Sequence, residues 1–216
     1  MEPALAGFFM LQQLATHWNR VRYTLYAPIY DLVAKAFAPY RRRSLQRVEN
    51  THGRILLIGA GTGLDLPYLP KTAQIVATDL TPALLLQLQW RATRLGMQVE
   101  SRVMDGQAAD LPDEHFDVVV LHLILAVIPN PVLCLQEAER MLKPGGQILI
   151  FDKFHSGNKK VGVLRKLVNL ITSFLFSSIN RRIEQLVAAT SLTLVENSPA
   201  AFGGLFRQIE LRKNAR

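Results

Sequence analysis

The sequence predicts a doubly wound α/β domain, in which helices cover both faces of a mostly parallel sheet. From residue 54 onwards, short apolar runs typical of buried strands alternate with longer segments typical of helices. A glycine-rich turn at residues 59–63 directly follows the first of these runs, a position typical of the ligand-binding edge of such sheets. The 216 residues are 49% hydrophobic and 19% charged, which suffices for one domain with a substantial core.

Seven strands are expected in this sheet. The helices between the first five imply right-handed crossovers and parallel pairing. A short connection through Gly203 and Gly204 permits the last two strands to pair antiparallel, so the sheet is expected to be mostly parallel with an antiparallel last strand. The predicted strands are Arg54–Ile58, Gln74–Thr78, Val99–Val103, Phe116–Leu121, Gln147–Phe151, Leu192–Val195 and Phe206–Leu211.

Four helices are expected within and after this alternation. Proline suits the first turn of a helix and glycine the position just past its end, and both signals occur at the expected boundaries. The first predicted helix begins near Leu64, and the second runs from Pro82 to Leu95 with Gly96 as its stop. The third runs from Pro131 to Leu142, before a Lys-Pro-Gly-Gly stretch at residues 143–146. The fourth runs from Arg181 to Ala189.

The first 50 residues are predicted to form a helical cap. Apolar side chains recur there at intervals of three and four, from Phe8 to Val21. A second helix is expected from Ile29 to Phe37, ending near Pro39, because proline interrupts a helix. A polar helical stretch is then expected from Arg41 to about Asn50.

The last part of the chain, residues 153–216, is predicted to form a basic helical lid followed by the last two strands. Apolar residues recur at helical spacing in residues 160–182, and lysines and arginines flank them. Such a segment suits a lid over a ligand, a contact with an anionic bilayer, or both. Because no repeat or linker divides the chain, residues 1–216 are expected to form one domain around a core at 54–152.

The charge of the chain is uneven and suggests two electrostatic tasks. Residues 51–152 hold seven basic and eleven acidic residues, whereas residues 153–216 hold eleven basic and three acidic ones. With one cysteine, no targeting signal and no run of roughly 18 apolar residues, the protein is expected in the cytoplasm, with the inner membrane face as the alternative.

Two kinds of ligand are not expected. No spacing of histidine, cysteine and carboxylate residues suggests a metal site. The basic residues are not interleaved with stacking aromatic residues, which argues against nucleic acid as a partner. The oligomeric state does not follow from the sequence.

Three features at consecutive strand ends predict a ligand crevice. Glycines at positions 59, 61 and 63 allow a tight turn and close approach of a cofactor, although their spacing departs from the dinucleotide-binding pattern. Asp79 ends the second strand, where a carboxylate accepts hydrogen bonds from ribose hydroxyls, or else caps the next helix. Asp105 follows the third strand and could accept from an exocyclic amine, with Gly106 beside a flat ring, or else be a turn residue.

The sequence over residues 54–152 resembles the class I S-adenosylmethionine (SAM)-dependent methyltransferases. The resemblance lies in the glycine turn, in Asp79 and Asp105, in Leu111-Pro112 with Phe116-Asp117, and in residues 139–146. It implies a Rossmann-like class I methyltransferase fold with SAM as the cofactor and S-adenosylhomocysteine as the product. The implied cofactor-binding residues are Gly59, Ala60, Gly61, Gly63, Asp65, Asp79, Leu80, Asp105, Gly106, His122 and Tyr26.

One position departs from the family pattern. Many members carry Asp or Glu where this chain has Leu57, which cannot bind the ammonium group of the cofactor. Asp65, two residues after the last glycine of the turn, is the candidate replacement, with water as the alternative. The overall acidic charge of residues 51–152 suits a cofactor that carries a positive sulfur.

Within this class the chain resembles the bacterial phospholipid N-methyltransferases and, less closely, the ubiquinone and menaquinone methyltransferases. The residues that carry this resemblance are Tyr30-Asp31, Gly61–Pro67, Ile128–Pro131, Asp152–Phe154 and Asn180–Arg182. It implies a lipophilic acceptor, with the amine of an aminophospholipid such as phosphatidylethanolamine as the first hypothesis. The alternatives are a quinone ring or a small molecule; an NAD(P)-binding oxidoreductase or a non-catalytic SAM-binding protein is more remote.

The candidate catalytic residues are His122 and Tyr30. His122 follows the fourth strand, where it would act as a general base, position the acceptor, or form a hydrogen-bonded wall. Tyr26 and Tyr30 would close over the cofactor from the cap, or else pack in the core. Asp152 and His155 follow the fifth strand and are candidates to line the acceptor pocket.

Overall fold

The computed structural model describes residues 35–48, 51–154 and 182–215. These residues form four α-helices and seven strands. The helices are α1 (Ala38–Leu45), α2 (Pro82–Leu95), α3 (Pro131–Met141) and α4 (Ile183–Val187). The strands are β1 (Arg54–Ile58), β2 (Gln74–Asp79), β3 (Val99–Val103), β4 (Phe116–His122), β5 (Leu142–Lys153), β6 (Thr193–Pro199) and β7 (Phe206–Arg212).

All seven strands belong to one sheet, in the order β3-β2-β1-β4-β5-β7-β6. The first five strands pair parallel, and β7 pairs antiparallel with both β5 and β6. This confirms the predicted seven-stranded, mostly parallel α/β sheet with an antiparallel last strand. The strand order reverses direction at β1 and β4, so a crevice opens at the carboxyl ends of these strands.

Two layers of apolar side chains cover the faces of the sheet. One contains Leu56, Val119 and Ile150 under α3 and α4, and the other contains Leu57 and Val120 under α2. Leu57, the residue that departs from the family pattern, is 1% exposed and lies in β1 opposite Ala77 of β2. Its side chain therefore belongs to the core and not to the crevice.

The helix predicted to begin near Leu64 does not form. The structure has a short 3₁₀ turn there instead, at Leu66–Tyr68. Pro67 and Pro70 each lack an N–H group and disfavour the α conformation in the residue before them, which explains why the turn does not extend into a helix.

The polar helical stretch near the start of the described chain also differs from the prediction. It begins at Ala38, with Pro39 in its first turn, and a 3₁₀ turn at Gln46–Val48 follows it. Proline thus opens this helix, because the first turn needs no backbone donor from it.

The third helix and the fifth strand meet without the predicted break. β5 begins at Leu142, which pairs with Phe116 of β4, and runs through the Lys-Pro-Gly-Gly stretch. Gly145 donates its N–H to the carbonyl of Lys213, and Gly146 accepts from the N–H of Lys213, so these glycines pair with the end of the chain. The predicted helix at Arg181–Ala189 is shorter in the structure, at Ile183–Val187.

Several predictions lie outside the described residues. They concern the helices before residue 35, the lid segment that contains residues 155–181, and the side chains of Tyr26, Tyr30 and His155. In the part of the chain that the structure does describe, no helix is long and apolar enough to cross a membrane.

Candidate active site

A crevice that opens to solvent lies at the carboxyl edge of the sheet. The glycine turn, the ends of β2 and β3, and the segment after β4 surround it. Its lining residues are Ile58, Gly59, Gly61, Asp79, Leu80, Thr81, Leu84, Met104, Asp105, Gly106, Gln107, Leu123, Ile124, Val127, Ile128 and Pro129.

The glycine turn forms the end of the crevice nearest β1. Gly59 and Gly61 have φ values of +68° and +55°, which L-residues with side chains rarely adopt. A side chain at Gly61 would meet no atom within 4 Å, so the backbone there faces open space. Gly63 is different, because a side chain there would lie 2.9 Å from Leu88 of α2. The third glycine therefore serves the packing of α2 and not the crevice.

Asp79 connects the glycine turn to the start of α2. Its Oδ2 accepts a hydrogen bond from the N–H of Gly61 at 2.9 Å, and its Oδ1 accepts from the N–H of Thr81 at 2.9 Å. Burial raises the pKa of Asp79, and these backbone donors oppose that shift. Thr81 occupies the N-cap position of α2 without a capping side-chain bond. The carboxylate still has lone pairs free of these two bonds and lines the crevice.

Asp105 and Gly106, which follow β3, also line the crevice. A side chain at Gly106 would come within 2.5 Å of Ile58, so only glycine fits there. Asp105 accepts hydrogen bonds from Gln107, through its backbone N–H at 2.9 Å and its side-chain amide at 3.0 and 3.1 Å. Gln107 also accepts from the N–H of Asn130 at 2.7 Å. Gln107 was not predicted, since its link to Asn130 spans 23 residues of chain.

Asp65 and His122 belong to a buried polar network beside the crevice. The Oδ2 atom of Asp65 accepts from Arg41 at 2.8 Å, and its Oδ1 lies 2.8 Å from Nδ1 of His122. The other ring nitrogen of His122, Nε2, lies 3.0 Å from the hydroxyl of Ser44. Burial by itself raises the pKa of Asp65, but the charge of Arg41 and the hydrogen bonds from His122 and Arg41 outweigh it and hold that pKa well below its usual range.

This network affects the roles that were predicted for Asp65 and His122. Because an ionised Asp65 can only accept, Nδ1 of His122 carries the proton, and a ring with one proton then accepts from Ser44 at Nε2. Both nitrogens of His122 are thus engaged, and its side chain is 1% exposed. Neither Asp65 nor His122 is among the residues that line the crevice, and neither is Ala60. Arg41 and Ser44 were not predicted, because no local pattern links them to His122.

Asp152, a candidate for the acceptor pocket, is also buried. It is 1% exposed, and its carboxylate accepts from the backbone N–H groups of Ala126 and Lys153 at 3.0 and 2.7 Å. It does not line the crevice, although Ala126 belongs to the segment that does. In the described parts of the chain, no group of three or more His, Cys, Asp or Glu side chains is placed to hold a metal ion.

Comparison with known proteins shows which domains this site resembles. Residues 56–150 match the sequence profile of the family described as a methyltransferase domain. The match runs from β1 into β5, so all the residues that line the crevice lie within the matched part of the chain.

Two relatives and one solved structure are similar to this chain over a larger part of its length. A phosphatidylethanolamine N-methyltransferase of Cereibacter sphaeroides is 29% identical over 86% of this chain and 93% of its own length. A demethylmenaquinone methyltransferase of Thermus thermophilus is 29% identical over 58% of this chain and 61% of its own length. A SAM-dependent methyltransferase structure from Aquifex aeolicus, 17% identical, covers 79% of this chain and 88% of its own length, with a TM-score of 0.59. The structural likeness supports the class I methyltransferase fold.

Proposed function

We propose that this protein transfers a methyl group from SAM to a lipophilic acceptor, the amine of an aminophospholipid such as phosphatidylethanolamine. The observation that carries the proposal is the similarity to a phosphatidylethanolamine N-methyltransferase along 86% of this chain. That similarity covers 188 residues and so extends beyond the 95 residues, 56–150, that match the methyltransferase profile.

The crevice fits SAM. Gly61 offers backbone without a side chain in the way, and Asp79 offers a carboxylate suited to two ribose hydroxyls. Asp105 also lines the crevice, where its carboxylate could accept a hydrogen bond from the amine of an adenine ring. When bound, SAM supplies a methyl group on a positively charged sulfur, and the net negative charge of residues 51–152 favours that charge.

The protein contributes alignment and exclusion of water to this transfer. Leu123, Ile124 and Val127 give the crevice an apolar wall, which suits a reaction between a cofactor and the headgroup of a lipid. An amine acceptor needs no general base if it arrives without its proton. The engagement of both ring nitrogens of His122 is therefore compatible with amine transfer.

A quinone ring is the second candidate acceptor. It is favoured by the similarity to a demethylmenaquinone methyltransferase, which covers 58% of this chain. A ring carbon or phenol more often needs a general base than an amine does. The shorter coverage and the engaged histidine make this acceptor the alternative.

An anionic membrane surface is the proposed partner. Residues 153–216 hold eleven basic and three acidic residues, which would attract the chain to an anionic bilayer that carries the acceptor. The protein would then work in the cytoplasm at the inner face of the membrane. Flotation with anionic vesicles should exceed flotation with neutral ones and should fall as salt is added, and equal flotation would contradict this part of the proposal.

The proposal is tested with labelled SAM. The purified protein is incubated with vesicles that contain phosphatidylethanolamine, and separately with vesicles that contain demethylmenaquinone, and the labelled lipid is identified. Label in mono-, di- or trimethylated phosphatidylethanolamine supports the proposal. Label only in the quinone supports the alternative, and no label in either, with S-adenosylhomocysteine failing to bind, would remove the cofactor assignment.

A further inference from the structure

The segment that follows β4 forms one wall of the crevice. We refer to residues 123–129 as the wall loop; Leu123, Ile124, Val127, Ile128 and Pro129 of this loop line the crevice. A side chain at Gly59 would come within 2.7 Å of Ile124, and one at Gly106 would come within 3.6 Å of Ile128. The wall loop therefore lies directly against two glycines that line the crevice, and its position affects the width of the crevice.

The wall loop begins with a strained residue. Leu123 has a φ of +61°, a left-handed conformation that is unfavourable for a residue with a side chain. Its N–H donates to the carbonyl of Phe151 at 2.8 Å. Such a conformation persists only where the surrounding structure holds it, and it is found most often at functional sites.

The end of β5 holds this loop at two points. Phe151 accepts from Leu123, and the next residue, Asp152, accepts from the N–H of Ala126 at 3.0 Å. The second oxygen of Asp152 accepts from the N–H of Lys153 at 2.7 Å. A hydrogen bond to an ionised carboxylate is roughly twice as strong as one between neutral groups, so Asp152 fixes the middle of the loop.

A buried carboxylate at position 152 lowers the stability of the folded protein, which is unusual for a residue with a purely structural role. Burial raises its pKa to about 6, although the N–H groups of Lys153 and Ala126 and the charge of Lys153 oppose this shift. A buried carboxylate lowers the stability of the folded protein unless it is fully compensated. A costly group that acts on the wall of a binding site is typical of a trade between stability and function.

We propose that Asp152 is a positioning residue that sets the affinity of the crevice for its ligand. By holding the N–H of Ala126, it keeps the wall loop closed against Gly59 and Gly106. It acts through the loop and not by contact with the ligand, since it does not line the crevice. The identity of the ligand as SAM or S-adenosylhomocysteine rests on the proposed function.

The first test compares Asp152→Asn with a matched variant, Asp117→Asn. Asp117 also accepts a backbone N–H, from Arg54 at 2.8 Å, but lies at the start of β4, at the opposite edge of the sheet. Asparagine keeps one acceptor oxygen and loses the negative charge. We expect Asp152→Asn to raise the Kd for S-adenosylhomocysteine in calorimetry about tenfold, and Asp117→Asn to leave it unchanged.

Amide exchange measures the loop directly. In Asp152→Asn, the peptide that contains Ala126 should exchange faster than in the wild type, whereas peptides of β1 should not change. If Asp152→Asn fails to fold, the same peptide in the wild type should exchange faster near pH 5 than near pH 8, after correction for the intrinsic rate, because Asp152 is protonated at the lower pH.

The pH profile separates this role from a merely structural one. The Kd of the wild type for S-adenosylhomocysteine should rise as the pH falls through about 6. The Kd of Asp152→Asn should not show this rise. Asp79 faces the same crevice with a raised pKa, but it is present in both proteins, so the difference between the two profiles isolates Asp152. Lys153 is the charged neighbour of Asp152 and is likewise unchanged.

Two results would overturn the inference. One is an Asp152→Asn variant whose affinity, pH profile and loop exchange all equal those of the wild type. The other is an equal loss of affinity in Asp117→Asn, which would indicate a general loss of stability. If the wild type does not bind S-adenosylhomocysteine, the proposed cofactor fails, while the exchange of the Ala126 peptide still decides whether Asp152 holds the loop.

Discussion

Gly59 and Gly61 stand two residues apart in one turn, yet the structure requires glycine at each for a different reason. Both have a positive φ, so both resist substitution through the backbone. Gly59 in addition lies against Ile124, whereas Gly61 borders open space in the crevice. Gly59 is thus required for packing against the wall loop, and Gly61 is required for the approach of a ligand.

Alanine at these two positions should separate stability from binding. Each variant carries a backbone strain of about 1–2 kcal/mol, but Gly59→Ala also forces Ile124 to move. We expect Gly59→Ala to lower the melting temperature more than Gly61→Ala does. Gly61→Ala should weaken S-adenosylhomocysteine binding at least tenfold, because its methyl group enters the crevice. Calorimetry and thermal unfolding check both, and unchanged affinity in Gly61→Ala would contradict the assignment of the turn.

Asp79 is the residue on which cofactor affinity should depend most directly. Asp79→Ala removes the carboxylate that faces the crevice and that holds the N–H groups of Gly61 and Thr81. We expect at least a tenfold weaker affinity for SAM in titration calorimetry. Asp117→Ala serves as the control, since it removes a carboxylate remote from the crevice. An affinity equal to that of the wild type would remove the ribose-binding role.

At the scale of elements, α1 is held to the edge of the sheet by polar contacts. Arg41 and Ser44 of this helix bind Asp65 and His122, and the side chain of Gln208 in β7 donates to the carbonyl of Tyr40. The ring of Tyr40 also stacks on Phe151 at 5.8 Å between centroids. α1 therefore connects the turn after β1 with the ends of β4 and β5.

His122 contacts both Ser44 of α1 and Asp65 of the turn after β1, so its removal should lower the stability of the protein. His122→Ala leaves the buried Asp65 with one partner fewer and Ser44 without this acceptor, so we expect the free energy of unfolding to fall by about 3 kcal/mol. Ser44→Ala should cost about 1 kcal/mol, since it removes one neutral donor. Denaturant unfolding measures both. Lost turnover in His122→Ala, with unchanged stability and unchanged SAM affinity, would instead support a general base.

At the scale of the whole molecule, two buried carboxylates act on stability in opposite directions as the pH changes. The pKa of Asp65 is lowered in the folded state, so Asp65 stabilises the protein above its ordinary pKa of 3.8, and this contribution is lost as the pH falls. The pKa of Asp152 is raised to about 6, so its favourable contribution is present below 3.8 and is lost as the pH rises through about 6.

The effect of Asp152 can be isolated by substitution. Between about pH 4 and about pH 7, the wild type should lose up to about 3 kcal/mol of unfolding free energy relative to Asp152→Asn. Asparagine does not titrate, whereas Asp65 is the same in both proteins and cancels in the difference. Denaturant unfolding at several pH values gives this difference. A difference that stays constant with pH would indicate that Asp152 titrates normally in the folded protein.

Local patterns sufficed to predict that the seven strands exist, the bounds of some of them, and part of the crevice. Arg54–Ile58 was predicted at its observed bounds, because a buried strand of a parallel sheet is a short apolar run between turn residues. Val99–Val103 was also predicted at its observed bounds, although it is a largely exposed strand at the edge of the sheet. The ends of α2 were predicted because Pro82 and Gly96 act within one helical turn. The helix near Leu64 was a wrong prediction, since the glycine turn was weighed without Pro67 and Pro70.

Long-range contacts were beyond such patterns. Ser44 and His122 are 78 residues apart, and Asp152 and Ala126 are 26 residues apart, so nothing in either neighbourhood indicates the partner. α1 buries Arg41 and Ser44 beside Leu45, and a helix that buries polar side chains has no apolar stripe to reveal its inner face.

The sequence by itself determined the order of strands and helices, the glycine turn and the strand-end carboxylates Asp79 and Asp105, since each depends on residues close together in the chain. Only the tertiary structure decided what Asp65, His122 and Asp152 do. A carboxylate or imidazole has the same chemistry in a cleft and in the interior, and burial and partners alone determine whether it binds a ligand or holds the protein around it. Those partners come from distant segments, which meet only when the sheet has formed.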